Sequence, residues 1–157
     1  MPSRFPILIT TPPCRDWAAA FDAPVYLHAS DSEWIVRDSP AIRLWQGDAF
    51  ELWPSVQLLR LGGHFAGGTV LHWREGDGTL LVGDILQVTP GADAVSFMWS
   101  YPNMLPLPAP VIENIMQRLA GVRFARLYGA FAGQNMLNNA HERVQRSARK
   151  YLACLRG

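Results

Sequence analysis

Apolar positions fall into short runs over the first two thirds of the chain and into helical spacing over the last third. Phe5 to Thr10 is an apolar run of strand type, and Pro12 and Pro13 must end it. Arg15 to Phe21 predicts a brief helix with Trp17, Ala18 and Phe21 on one face. Pro24 to His28 reads as a buried strand. Ser30 and Glu33 form a capping-box pattern, which predicts a short helix through Trp34 to Val36 with Ser30 as its cap. Ile42 to Trp45, Val56 to Leu61, Thr69 to Trp73 and Leu80 to Val82 are strand candidates, and Val95 to Trp99 is one more. Asp77-Gly78, between two apolar runs, predicts a hairpin turn.

The pattern then changes period. Val111, Ile112, Ile115, Met116 and Leu119 recur at helix spacing, with Pro110 in the first turn and Gly121 at the end. Phe124 to Tyr128 is a further strand. A final helix, capped by Asn138 or Asn139, runs to about Leu155 with Ala140, Val144, Ala148, Tyr151 and Leu155 on its apolar face. Its basic residues, Arg143, Arg146, Arg149 and Lys150, mostly face water. Strands first and alternating helices later predict a mixed α/β sandwich with helices outside, as a single domain over residues 1–157.

Composition narrows the function classes. With 49% hydrophobic and 17% charged residues the chain has enough apolar mass for a core. A net charge of +1 gives no footprint for nucleic acid. Two cysteines, Cys14 and Cys154, make no disulfide framework, so a reduced, cytoplasmic setting is expected. The apolar stretch Ile7-Leu8-Ile9 is too short for a signal peptide. The uncharged stretch from Ala94 to Ile112 is broken by Pro102, Pro106, Pro108 and Pro110, so no membrane span is expected.

Two segments carry candidate chemistry. Leu61-Gly-Gly-His-Phe-Ala-Gly-Gly68 places His64 in a glycine-rich loop between strands, where a ligand can come close to a mobile backbone. Thr79-Leu-Leu-Val-Gly-Asp84 ends an apolar strand in a carboxylate, which needs a cation or donors if buried. There is no G-x-S-x-G elbow, no P-loop and no G-x-G-x-x-G. His28 ends a strand, His72 points away from the side shared by Leu71 and Trp73, and His141 is expected in solvent.

In order and spacing these segments resemble the metallo-β-lactamase fold. Members carry a GHTPGH/S loop with a metal-binding His and an LxxGD strand with a metal-bridging Asp, and His64 and Asp84 fall on those positions. Ala23-Pro-Val-Tyr-Leu-His28 and Tyr128-Gly-Ala130 stand where the family has a GAPVYAH strand and a terminal GHG loop. The resemblance covers about residues 5 to 155 and implies an αβ/βα sandwich.

The departures are equally specific. The family's THxHxDH motif has no counterpart: Thr11 to Trp17 keeps a Thr and Asp16, puts Cys14 at one His position, and has Pro12 and Trp17 at two others. In a second register the motif is missing altogether. The terminal His is absent from Gly129-Ala130-Phe131. The family also carries some tens of residues before the first strand, so the resemblance implies a sheet incomplete at its N-terminal side, from a pared-down relative or a truncated reading of a longer gene.

Catalytic zinc takes about three protein ligands and an open water position. His64 and Asp84 supply two, and Cys14 or Asp16 supplies a third only in the first register. The resemblance therefore implies one zinc at most. Two readings follow. One is a scaffold with an eroded metal site, without dinuclear hydrolase activity, serving binding or association. The other is a mononuclear zinc hydrolase of an ester, thioester or lactam bond. Expected partners are a small-molecule ligand and a second copy of the chain, which would cover an exposed sheet edge and apolar surface. The aromatic and Pro-rich stretch from Phe97 to Leu107 is a candidate apolar pocket lining.

Overall fold

A computed structural model describes residues 14–156, with the side chain of Cys14 outside the described part. The expected strand from Phe5 to Thr10 lies outside the described residues. The chain forms two compact units, one ending at Gly47 and one beginning at Asp48.

The first unit holds α1 (Cys14–Phe21), β1 (Val25–His28), a 3-10 helix (Ala29–Trp34) and β2 (Ile42–Trp45). β1 and β2 pair in parallel, with Val25 opposite Ile42 and His28 opposite Trp45. On α1, Trp17 and Phe21 stack on each other at 5.3 Å, yet both are exposed, while Ala18 is buried. The capping box is not used as expected. The helix starts two residues earlier, and the His28 ring accepts from the Ser30 N–H at 3.1 Å, so histidine replaces serine as the cap.

The second unit contains β3 (Ala49–Trp53), β4 (Val56–Arg60), β5 (Thr69–Trp73), β6 (Thr79–Gly83), β7 (Gln87–Val88), β8 (Val95–Ser96), β9 (Met98–Ser100), β10 (Leu105–Pro106), α2 (Ala109–Leu119), β11 (Arg126–Gly129), β12 (Asn135–Met136) and α3 (Ala140–Arg156). Six strands form one sheet in the order β12-β11-β6-β5-β4-β3. All neighbours are antiparallel except β11 and β6, which run parallel. This is the mixed α/β architecture expected from the order of elements. No helix among the described residues is long and apolar enough to cross a membrane.

One continuous core joins the sheet to both long helices. Val70, Leu80, Val82 and Leu127 meet Ile112, Ile115 and Leu119 of α2 and Ala140, Val144 and Ala148 of α3. Each such buried Val, Leu or Ile contributes about 1.5–3 kcal/mol. The α2 spacing thus reads as the sequence predicts. Its end differs: the Ala120 N–H closes the last turn on the Gln117 carbonyl, and Gly121 does not take a left-handed conformation. On α3, Leu155 is exposed and Ser147 is buried instead. The Ser147 hydroxyl donates to the Arg143 carbonyl and accepts from the Val95 N–H, tying α3 to β8. Arg143 and Arg146 are not merely solvated; both bond to carbonyls at Ala92 and Asp93.

Two other expectations change, and β3 is a strand that the sequence pattern does not predict. β3 has little alternation strong enough to read in the sequence, and pairing with β4 creates it. The expected strand from Val95 to Trp99 breaks at buried Phe97, and its halves pair separately, β8 with β7 and β9 with β10. His141 is half-buried, its ring stacked on Phe124 at 5.0 Å.

The hairpin between β5 and β6 presses against the chain entering β11. Gly78 has φ +77°, and a Cβ there would stand 2.1 Å from the Arg123 carbonyl oxygen. His72, buried on the core side as its alternation predicts, donates from Nε2 to that same carbonyl at 2.9 Å. Burial lowers the His72 pKa below its ordinary 6.5, against the carbonyl bond, with Arg74 lowering it further.

Two outcomes are expected. Gly78→Ala should destabilise the fold by about 2 kcal/mol or more, read as a lower urea midpoint, because backbone must move to admit the methyl. The His72 shift has a definite sign. Its folded pKa lies below the unfolded one, so its contribution is complete above pH 6.5 and is lost as pH falls through the folded pKa. Acidification from neutral pH should lower the urea midpoint of the native protein more than that of His72→Gln. Equal losses in the two proteins would contradict this.

Candidate functional site

The glycine-rich loop is a turn closed by hydrogen bonds. The Leu61 and Gly62 N–H groups both donate to the Gly68 carbonyl, at 2.8 and 3.0 Å, and the Gly68 N–H donates to the Phe65 carbonyl. Glycine is required for this. Gly62 and Gly63 have φ of +71° and +91°, and a Cβ on Gly68 would stand 2.6 Å from the Gly62 oxygen. Arg60 Nε also bonds to the Ala66 carbonyl, at 3.1 Å. The turn holds His64 edge-on to Phe65, at 5.0 Å between ring centroids. Its Nδ1 is buried and has no hydrogen-bond partner among the described residues.

Asp84 follows β6 directly, after Gly83 at φ +53°. The apolar strand that precedes it is half in the core: Leu80 and Val82 are buried while Leu81 faces out. The Asp84 carboxylate is exposed, so the cation that burial would demand is not required.

Tyr101 connects the two. Its ring lies 5.6 Å from that of His64, and its hydroxyl donates to the Asp84 carbonyl at 2.8 Å. Burial holds the Tyr101 phenol well above its ordinary pKa of 10, with the Asp84 charge pushing the same way, so it remains a donor. Within the stretch from Phe97 to Leu107, sequence reasoning saw an apolar lining but missed this role. A single phenol in an aromatic run carries no signal of it; the β9–β10 hairpin creates it by carrying Tyr101 back over the sheet.

The remaining candidates lie in the first unit. Asp16 is exposed in the first turn of α1, where a carboxylate favours the helix dipole. Cys14 begins the same helix, and its side chain lies outside the described part. Among the described residues, no three His, Cys, Asp or Glu side chains are grouped to hold a metal ion. The family resemblance implies a zinc ion here. His64 offers an unpartnered ring nitrogen and Asp84 a carboxylate, but two donors fall short of about three protein ligands for a catalytic zinc. The described residues do not fit that group.

The other sequence motif of this kind is structural. His28 is buried, donates from Nε2 to the Gly47 carbonyl at 3.0 Å and accepts the Ser30 N–H on Nδ1. Both nitrogens are used, and the ring stands edge-on to Trp45 at 4.7 Å.

Replacing Tyr101 by Phe should cost about 1 kcal/mol of stability, the ordinary worth of one hydrogen bond, with far-UV circular dichroism unchanged. A urea midpoint equal to the native one would show that the bond to Asp84 contributes nothing.

No family model matches the chain. It is 48% identical over 143 residues to uncharacterized protein YmaE of Bacillus subtilis (strain 168), covering 89% of this chain. The match takes in 52% of that protein, so the chain spans about half the length of the curated relative it matches. Among solved structures, it is similar to a metallo-β-lactamase from Staphylococcus aureus subsp. aureus COL, with a TM-score of 0.56 and 11% identity. That match covers 90% of this chain and 48% of the other. A metallo-β-lactamase from Pontibacter korlensis gives a TM-score of 0.55 and 13% identity over 90% of this chain and 62% of the other. At such identities the likeness speaks for the fold alone. With the sheet order, the Gly-rich turn before β5 and the Gly-Asp end of β6, it shows that this chain has the metallo-β-lactamase fold.

Proposed function

We propose that this chain uses the metallo-β-lactamase fold for binding or association and lacks dinuclear hydrolase activity. The observation that carries this reading is the donor count. His64 and Asp84 stand at the family positions and meet through Tyr101, but the described residues add no third donor to them. A pinned loop and a protonated phenol support a rigid surface feature rather than a metal cradle. A reduced, cytoplasmic setting belongs to this reading, in keeping with the exposed free thiol of Cys154.

A second reading is favoured by one atom. The buried Nδ1 of His64 has no partner among the described residues, and an unsatisfied buried nitrogen costs about 1–3 kcal/mol. A single zinc would relieve that cost and would make the chain a mononuclear hydrolase of an ester, thioester or lactam. That reading needs a donor the described residues do not group with His64 and Asp84.

Elemental analysis of untagged protein for zinc, iron and manganese separates the two. The expected result is well below one metal per chain in excess zinc, unchanged in His64→Ala. About one metal per chain, lost in that variant while the fold persists, would overturn the binding reading in favour of the zinc hydrolase.

A further inference from the structure

A recess of about 520 Å³ opens in the second unit between the turn joining β5 to β6, the chain entering β11 and the first turns of α3. That volume lies in the range of small-ligand sites. The recess stands beyond the Thr79–Arg126 end of the β6–β11 ladder, whereas Asp84 follows its Gly83–Gly129 end. Part of its lining is aromatic. The His141 ring stacks on Phe124 at 5.0 Å, and Gln145, one turn further along α3, bonds to His141 Nε2 at 3.3 Å. This bond orients the ring and leaves Nδ1 without a partner among the described residues.

The charges around the recess are of two kinds. On the turn side, Arg123 pairs with Asp77 at 2.9 Å, so that wall is neutral. On α3, Glu142 and Arg149 carry opposite charges, and neither forms an ion pair among the described residues. The reason is spacing. Glu142, Gln145 and Arg149 follow at intervals of three and four residues and share one face of the helix. Glu142 and Arg149 are thereby two turns apart, about 10 Å along the axis, beyond the one-turn spacing at which helix ion pairs form. The uncharged Gln145 stands between them. The recess thus presents an unpaired cation, an unpaired anion and an aromatic surface.

We propose that this recess binds a small zwitterion bearing an aromatic ring, a ligand of the aromatic amino-acid class. Its carboxylate meets the Arg149 guanidinium, whose planar fork suits two parallel N–H···O bonds. Its ammonium meets the Glu142 carboxylate. Its ring lies against His141, which Phe124 backs, where offset stacking adds to the burial. A plain anion fits less well, because Glu142 and Asp77 line the same recess, and a plain cation meets Arg123 and Arg149. A zwitterion answers both signs at once. The site goes beyond the reading of His64 and Asp84 and does not depend on whether they hold a metal.

Chemical-shift titration of the isotope-labelled full chain with L-phenylalanine at neutral pH tests this. A ligand of about a dozen non-hydrogen atoms and ordinary efficiency binds at about 1 mM, so saturation in that range is expected, with the shifts at the start of α3. Phenylacetate, which lacks the ammonium, and phenethylamine, which lacks the carboxylate, should each bind about tenfold more weakly. Arg149→Gln and Glu142→Gln should each weaken L-phenylalanine by about tenfold with unchanged thermal midpoints, since both side chains are exposed. Each variant should also lose its discrimination. Phenethylamine should bind Arg149→Gln as well as L-phenylalanine does, and phenylacetate should do the same on Glu142→Gln. No saturable binding up to about 10 mM overturns the proposal, as does an affinity indifferent to both substitutions. Native binding of phenylacetate as tight as that of L-phenylalanine overturns the zwitterion in favour of a plain carboxylate, and equal binding of glycine overturns the part given to the ring. Metal content of the same samples is read separately. A His64-dependent metal overturns only the binding reading, and a failed titration overturns only this site.

Discussion

The parallel ladder between β6 and β11 is the constraint on which the second unit depends. Thr79, Leu80, Leu81 and Gly83 lie beside Arg126, Leu127, Tyr128 and Gly129. Forming it closes the long excursion through α2 and four short strands, so its entropy cost falls due before its contacts are made. Its two faces then have opposite duties. Leu80 and Leu127 enter the helix-covered core, while Leu81 and Tyr128 stay on the open side. One end of the ladder is anchored where the Ala125 N–H reaches the Asp77 and Gly78 carbonyls and where His72 holds the Arg123 carbonyl. The other end delivers Asp84 to the neighbourhood of Tyr101.

This arrangement separates scaffold from chemistry. Hydrogen bonds to the Gly68 and Phe65 carbonyls close the Gly-rich turn. His64 is therefore positioned by backbone geometry and aromatic packing. Similar folds support unrelated chemistries, and the site rather than the fold decides which one is present. The two histidines with a clear bonding role, His28 and His72, both bond to carbonyls and act as ties.

Much of the secondary structure was legible from spacing. β2 and β5 fall where their apolar runs begin and end, and the α2 stripe of Ile112, Ile115 and Leu119 is the buried one. The failures share a cause. β3 gains its exposure pattern only by pairing with β4, and Phe97 leaves its strand because the core takes its ring. His28 caps the 3-10 helix because β1 ends there with its ring against Trp45, a placement that competes with the local Ser30–Glu33 signal.

The sequence by itself determined the element order, the glycine turn, the hairpin at Gly78 and the positions of His64 and Asp84 after their strands. Those depend on local backbone conformation and on period, which neighbouring residues specify. Only the tertiary structure decided that Asp84 is exposed, that the His64 Nδ1 has no partner among the described residues and that Tyr101 lies between them. It alone also placed Trp73, Leu81 and Tyr128, each partly exposed, on one face of the sheet. These depend on strands far apart in the chain choosing one register, and no local spacing records that choice.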